Sequence, residues 1–127
     1  MLVDSISKYL NDIETLVRKL YSAYVERYEE EVITSDRANL RIRIRFRTGH
    51  MLELNEAIID EGRQVEHLAY RYHFQDDNAN LIFRYDNTPH FQHIESFPHH
   101  KHLPNEVIAV SQPSVLDVIT EAEKVIV

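Results

Sequence analysis

Apolar residues recur at helical spacing near the start of the chain: Ile6, Leu10, Ile13, Leu16, Val17 and Leu20. That spacing predicts a helix over Asp4–Lys19, capped by Asp4 or Ser5. From Tyr21 the period becomes ambiguous. Tyr21, Tyr24, Val25 and Tyr28 extend the helical stripe, yet with Val32, Ile33 and Thr34 they also suit a pleated surface. We read a strand over Ala23–Thr34 and a turn at Ser35–Asn39.

From Leu40 the period is two. Leu40, Ile42, Ile44 and Phe46 alternate with Arg41, Arg43, Arg45 and Arg47, so one face of this strand is apolar and the other cationic. Gly49 marks a turn, and Met51–Ile59 returns. A register centred on Gly49 keeps Leu52 and Leu54 on the apolar face and sets Glu53 opposite Arg45 and Asn55 opposite Arg43. A turn at Asp60–Arg63 follows. Val65–Gln75 is the fourth strand, with Leu68, Tyr70, Tyr72 and Phe74 inward and His67, Ala69, Arg71, His73 and Gln75 outward. Asp76–Asn80 closes a hairpin onto Leu81–Asp86. Pairing Tyr72 with Phe83 sets Arg71 against Arg84, a like-charge conflict that an anion between them would relieve.

Thr88–Pro104 reads as a long loop punctuated by prolines and rich in histidine. Glu106–Val110 adds a short edge strand. Ser114 and Asp117 form a variant capping box before a last amphipathic helix. The expected fold is α+β: an antiparallel sheet of about five strands, with the N- and C-terminal helices packed on one face. No repeat, low-complexity segment or linker divides the 127 residues, so one domain over 1–127 is expected.

Composition sharpens this only in places. Net charge is −7, which argues against bulk attraction to nucleic acid, so any such binding must be local. The absence of cysteine excludes disulfides and thiolate chemistry and fits a reducing cytoplasm. The opening residues MLVDSISKYL lack a signal-peptide pattern, and no apolar run reaches the ~20 residues of a membrane span. A cytoplasmic protein that does not engage membrane is the expectation.

Two sets of residues carry candidate chemistry. The first is an arginine plate: Arg41, Arg43, Arg45, Arg47, Arg71 and Arg84. Guanidinium forks suit phosphate or carboxylate, so the plate fits RNA or an acidic protein partner. Equally, it could be a solvated face laced with ion pairs to Glu53, Glu29 and Glu31. The second is histidine. Six of the eight histidines fall between Tyr70 and His102: His73, His90, His93, His99, His100 and His102. Histidine can give and take a proton near neutrality, as cleavage of an RNA phosphodiester requires. Arg71, Arg84 and Lys101 would steady charge on phosphorus oxygens. Tyr72 and Asp86 would orient a histidine or the RNA. The rigid Asp86–His90 turn would aim His90 over Arg84. The alternative use of His99, His100 and His102 is a zinc or nickel site, for which the spacing alone is a weak signal. We therefore expect no metal and no cofactor.

The run YRYHFQDDNANLIFRYDNTPHF, the loop FPHHKH, the following EVI and the final acidic helix together resemble the TumE family of toxin–antitoxin toxins. The likeness extends from the arginine strand to the C-terminus. It rests on Arg71, Tyr72, His73, Arg84, Asp86, Asn87, His90, Pro98, His99, His100, Lys101 and His102; Gln92 and His93 look variable. The resemblance implies a small prokaryotic cytoplasmic toxin encoded beside a helix-turn-helix antitoxin. It brings no assigned catalytic role.

The reading that follows is a toxin acting on RNA as a metal-independent ribonuclease. His73 and one of His99, His100 and His102 would be the acid–base pair. Arg71, Arg84 and Lys101 would hold the phosphate, and Arg41, Arg43, Arg45, Arg47 and Tyr72 would bind RNA. The alternatives are a non-enzymatic module docking an acidic partner and a metal enzyme built on the histidine loop. Oligomeric state is not legible in the chain.

Overall fold

The computed structural model describes residues 1–89, 91 and 93–126. It is α+β, and among the described residues the elements are two helices and a seven-stranded antiparallel sheet in sequential order. They run α1 (Asp4–Arg18), β1 (Ala23–Thr34), β2 (Arg37–Phe46), β3 (Met51–Glu61), β4 (Gln64–Gln75), β5 (Leu81–Asp86), β6 (His100–Leu103), β7 (Glu106–Ala109) and α2 (Val115–Ile126). The expected count of about five strands is too low. The loop expected over Thr88–Pro104 contains β6, which pairs with β5 on one side and β7 on the other.

Helix α1 buries Ile6, Leu10, Ile13 and Val17, the stripe its spacing predicts. Its N-cap is Val3, not Asp4 or Ser5, and makes no side-chain cap bond. Ser5 instead donates its hydroxyl to Asp60 at the end of β3. Helix α2 starts with the expected reciprocal cap: Asp117 N–H donates to Ser114 Oγ at 3.1 Å, and Ser114 N–H donates to Asp117 Oδ2 at 3.3 Å. The buried residues of both helices join Leu40, Ile42, Ile44, Phe46, Leu52, Leu54, Tyr70, Tyr72, Phe74 and Phe83 in one core cluster.

Period-two alternation sets the faces, but the turns set the registers. In β2–β3 the pairs are Arg43 with Glu53 and Arg41 with Asn55, two residues away from the expected register. The cause is the position of Gly49. Its N–H donates to Phe46 O at 2.9 Å and its φ is +92°, so it closes a three-residue loop rather than sitting at the apex. In β4–β5, Arg71 pairs with Asp86 and His73 with Arg84, so the expected confrontation of Arg71 with Arg84 does not occur. Here Asp76 shapes the turn. Its Oδ1 accepts the N–H groups of Asn78 and Asn80, and the register slips between Phe74 and Gln75.

A bulge in β4 changes two further expectations. Ala57 pairs with Ala69 but Ile58 pairs with His67, leaving Leu68 as the extra residue. Leu68 therefore leaves the core and is 47% exposed. His67 turns inward instead, where its Nε2 lies 2.8 Å from Glu56. The Glu56 side chain has no exposed surface, and it also accepts from Tyr9 and Tyr72 hydroxyls at 2.7 and 2.5 Å. A buried carboxylate is tolerable only with such a set of donors. Burial, followed by the nearby Glu56 charge, raises both phenols' pKa values well above the usual range.

Candidate active site at the β4–β5–β6 junction

Strand pairing brings five of the expected residues together. His73 on β4 lies opposite Arg84 on β5, Arg84 lies opposite His102 on β6, and Asp86 lies opposite His100. Arg71, opposite Asp86, borders the group and is exposed. Residues two apart on a strand share a face, which is why His100 and His102 meet and Lys101 does not join them.

His73 is half-buried and held in a defined tautomer. Arg84 donates from Nε to His73 Nδ1 at 3.3 Å, while His73 Nε2 lies 2.9 Å from Gln75 Oε1. An Nδ1 that accepts and an Nε2 that donates describe a neutral ring. Burial pushes the His73 pKa below its ordinary value, and the charges of Arg84 and Arg71 push the same way. Gln75 and Glu53 oppose them without reversing the shift. Arg84 is itself shifted down, first by burial and then by Arg71.

Asp86 and His100 are buried polar residues. The Nε2 atoms of His100 and His102 lie 2.8 and 3.4 Å from the two carboxylate oxygens of Asp86. Thr88 N–H donates to Asp86 Oδ1 at 3.0 Å and orients that carboxylate. His100 Nδ1 lies 2.9 Å from the carbonyl of Pro98, to which it can only donate. Burial, opposed by Asp86, lowers the His102 pKa. Phe91 packs against both rings, with centroids 5.2 Å from His100 and 5.8 Å from His102. The sequence reading missed Phe91 because nothing in its neighbours marks a ring that closes over two histidines.

Other expected members lie elsewhere. Tyr72 is fully buried and bonded to Glu56, so it has no surface to offer RNA. His99 stacks on Tyr70 and its Nδ1 meets the Tyr70 hydroxyl at 2.8 Å. Lys101 pairs with Glu121 of α2 at 2.6 Å and lies over the Tyr85 ring, on the core side of β6. His93 is exposed and touches Phe91 edge-on. His90 and its suggested aim over Arg84 fall outside the described residues. Asn87, a residue of the resemblance, accepts the Tyr70 N–H through Oδ1 at 3.0 Å and so holds the end of β5 against β4.

The arginine plate is partly self-neutralised. Arg43 pairs with Glu53, and Arg45 pairs with Glu26 through two guanidinium nitrogens at 3.2 Å. Those partners follow the observed registers, not the expected ladder through Glu29 and Glu31. Arg27 takes Glu29, and Asn39 donates to Glu31. Arg47 donates to the Tyr21 carbonyl. Arg41 and Arg71 form no ion pair with the described residues, and both line a groove of about 410 Å³ with Asn39, Asn55, Asn87 and Leu68.

The family model described as Toxin TumE matches residues 12–127. The chain belongs to the TumE toxin family. Membership implies a toxin of a toxin–antitoxin system. No curated protein and no solved structure matches the chain. No described helix is long and apolar enough to cross a membrane.

Proposed function

We propose that this TumE-family toxin acts on RNA, cleaving a phosphodiester at the junction of β4, β5 and β6. The observation that carries the reading is His73, held neutral between Arg84 and Gln75 and flanked by Arg71. A neutral imidazole beside two guanidiniums is a base placed where a phosphate would bind. When phosphate oxygens draw Arg84 away, Nδ1 is released to take the proton of an RNA 2′-hydroxyl. Arg71 and Arg84 then stabilise the charge that grows on the phosphorus oxygens. The 2′-oxygen bonds to phosphorus, the P–O5′ bond breaks, and the departing 5′-oxygen takes a proton from His102 in its protonated form. In the metal-free chain His102 is the second histidine of the acid–base pair, because His99 and Lys101 face the core side and His100 is buried. The groove lined by Arg41, Asn55 and Arg71 leads the strand in. Both helices would cover the core face and leave this junction open to RNA.

The pattern of arginine pairing also supports a protein partner. The antitoxin, of helix-turn-helix type as the resemblance implies, would lay an acidic segment across the groove at Arg41 and Arg71 and so exclude RNA. Such a complex would weaken with salt.

The test is cleavage of labelled RNA by purified protein in chelator. Wild type should cleave, and His73→Ala should be slower by about 10²–10⁴, the usual worth of a general acid or base. Equal rates, or a growth-inhibiting wild type that leaves RNA intact, would remove the mechanism.

A further inference from the structure

His100 Nε2 lies 2.8 Å from Asp86 Oδ1, yet it has no hydrogen-bond partner among the described residues. Distance permits a bond but the direction does not. The reason this matters is the other nitrogen. Nδ1 faces the Pro98 carbonyl and must carry the ring's proton there, so in a neutral ring Nε2 is a lone pair. A lone pair held 2.8 Å from a carboxylate oxygen, in a side chain with almost no exposure, is repulsive unless a cation sits between or beside them.

His102 Nε2 lies 3.4 Å from the other oxygen of the same carboxylate. One donor atom from each of Asp86, His100 and His102 falls within 4.8 Å of the others. Around a tetrahedral zinc, with bonds of about 2.0–2.1 Å, donor atoms lie roughly 3.3 Å apart, so small side-chain rotations would seat the ion. The supports are those of a metal centre. Pro98 O fixes the His100 tautomer, Thr88 N–H braces the carboxylate, and adjacent strands carry all three donors.

We propose that Asp86, His100 and His102 bind one divalent transition-metal ion, zinc by the character of its two imidazoles and one carboxylate, with a further position left for an anionic oxygen ligand. Arg71 and Arg84 decide the last point. Two guanidiniums would repel a bare cation but attract an anion bound to it, so the pocket suits a metal together with phosphate. The inference does not depend on RNA being the target. A loaded site engages His102 as a ligand, so metal and the proposed proton transfer compete for one lone pair.

The full-length chain, stripped with chelator, is titrated with zinc by calorimetry and separately with cobalt(II) while visible absorption is followed. The wild type should bind one ion per chain, give the visible bands of a low-symmetry cobalt site, and melt at a higher temperature with zinc. Loss of an outer-shell partner weakens metal sites about 10–100-fold, so loss of a ligand in His102→Gln should cost more than that. Asp86→Asn should do the same. His102 is partly exposed, so its variant should fold even if His100→Ala does not. Inorganic phosphate should tighten zinc binding by wild type and not by Arg84→Gln. A stripped wild type that takes up no ion would overturn the site, because a protonated His100 paired with Asp86 would then account for the geometry. Equal uptake by wild type, His102→Gln and Asp86→Asn would overturn it too. RNA cleavage is scored separately, so its failure leaves these outcomes readable.

Discussion

Arg84 and His73 face each other across β4 and β5, and the guanidinium Nε–H is donated to the imidazole Nδ1 at 3.3 Å. A permanent cation therefore holds the ring in its neutral, proton-accepting form. The pair exists because the turn at Asp76 sets the β4–β5 register.

This pairing has a titration signature. Burial lowers the His73 pKa, helped by Arg84 from β5 and Arg71 from its own strand, against Glu53 from β3 and Gln75 beside it. In an NMR titration His73 should protonate below the ordinary value of about 6.5, and Arg84→Gln should move it upward. The linked stability effect has a definite sign. The unfolded chain binds this proton first, so the His73 contribution is intact above about pH 6.5 and is lost as pH falls towards the folded pKa. A His73 that titrates at or above its ordinary value would contradict the arrangement.

Salt dependence should separate the arginines. Arg71 forms no ion pair among the described residues and lines the groove, whereas Arg45 is committed to Glu26. If single-stranded RNA binds in the groove, Arg71→Gln should reduce the slope of log affinity against log salt by about 0.7. Arg45→Gln should leave the slope nearly unchanged. Filter binding across a salt series distinguishes the two, and equal slopes would place RNA elsewhere.

The buried carboxylate of Glu56 gives a stability prediction independent of activity. Tyr72→Phe removes a fully buried donor to it. Hydrogen bonds to charged groups are worth about 1.5–3 kcal/mol, and the unfolding free energy from urea titration should fall by that amount, with the midpoint moving down accordingly. Tyr9→Phe should cost less, because that side chain is only partly buried.

Gly49 and Gly62 both have positive φ but different surroundings. A side chain at Gly62 meets nothing within 4 Å, so Gly62→Ala should cost only the left-handed backbone, about 1–2 kcal/mol. At Gly49 a new Cβ would fall 2.8 Å from Asp77 Cβ, so Gly49→Ala should cost more. Equal denaturation midpoints for the two variants would show that the β2–β3 and β4–β5 turns do not press together.

Much of this protein is written in short-range patterns. Alternation in Leu40–Arg47 placed arginines on one face and aliphatic residues on the other, because side-chain direction along a strand has period two whatever its partner. The α1 stripe and the Ser114–Asp117 cap are equally local. The run from Tyr70 to His102 was enough to suggest the TumE family and to single out the segment that holds the candidate site.

What the sequence could not decide was which residues meet. Gly49 and Asp76 each moved a register by a few residues, changing every cross-strand pair while leaving the faces intact. One bulge exchanged Leu68 for His67 on the core face. Strand β6 lay hidden in a loop pattern, since its polar and histidine-rich sequence has little strand character before β5 and β7 flank it. Once paired, its alternation sent His100 and His102 to Asp86 and turned Lys101 to Glu121. Face is a property of one strand; register is a property of two strands and the turn between them, and only the folded chain fixes it.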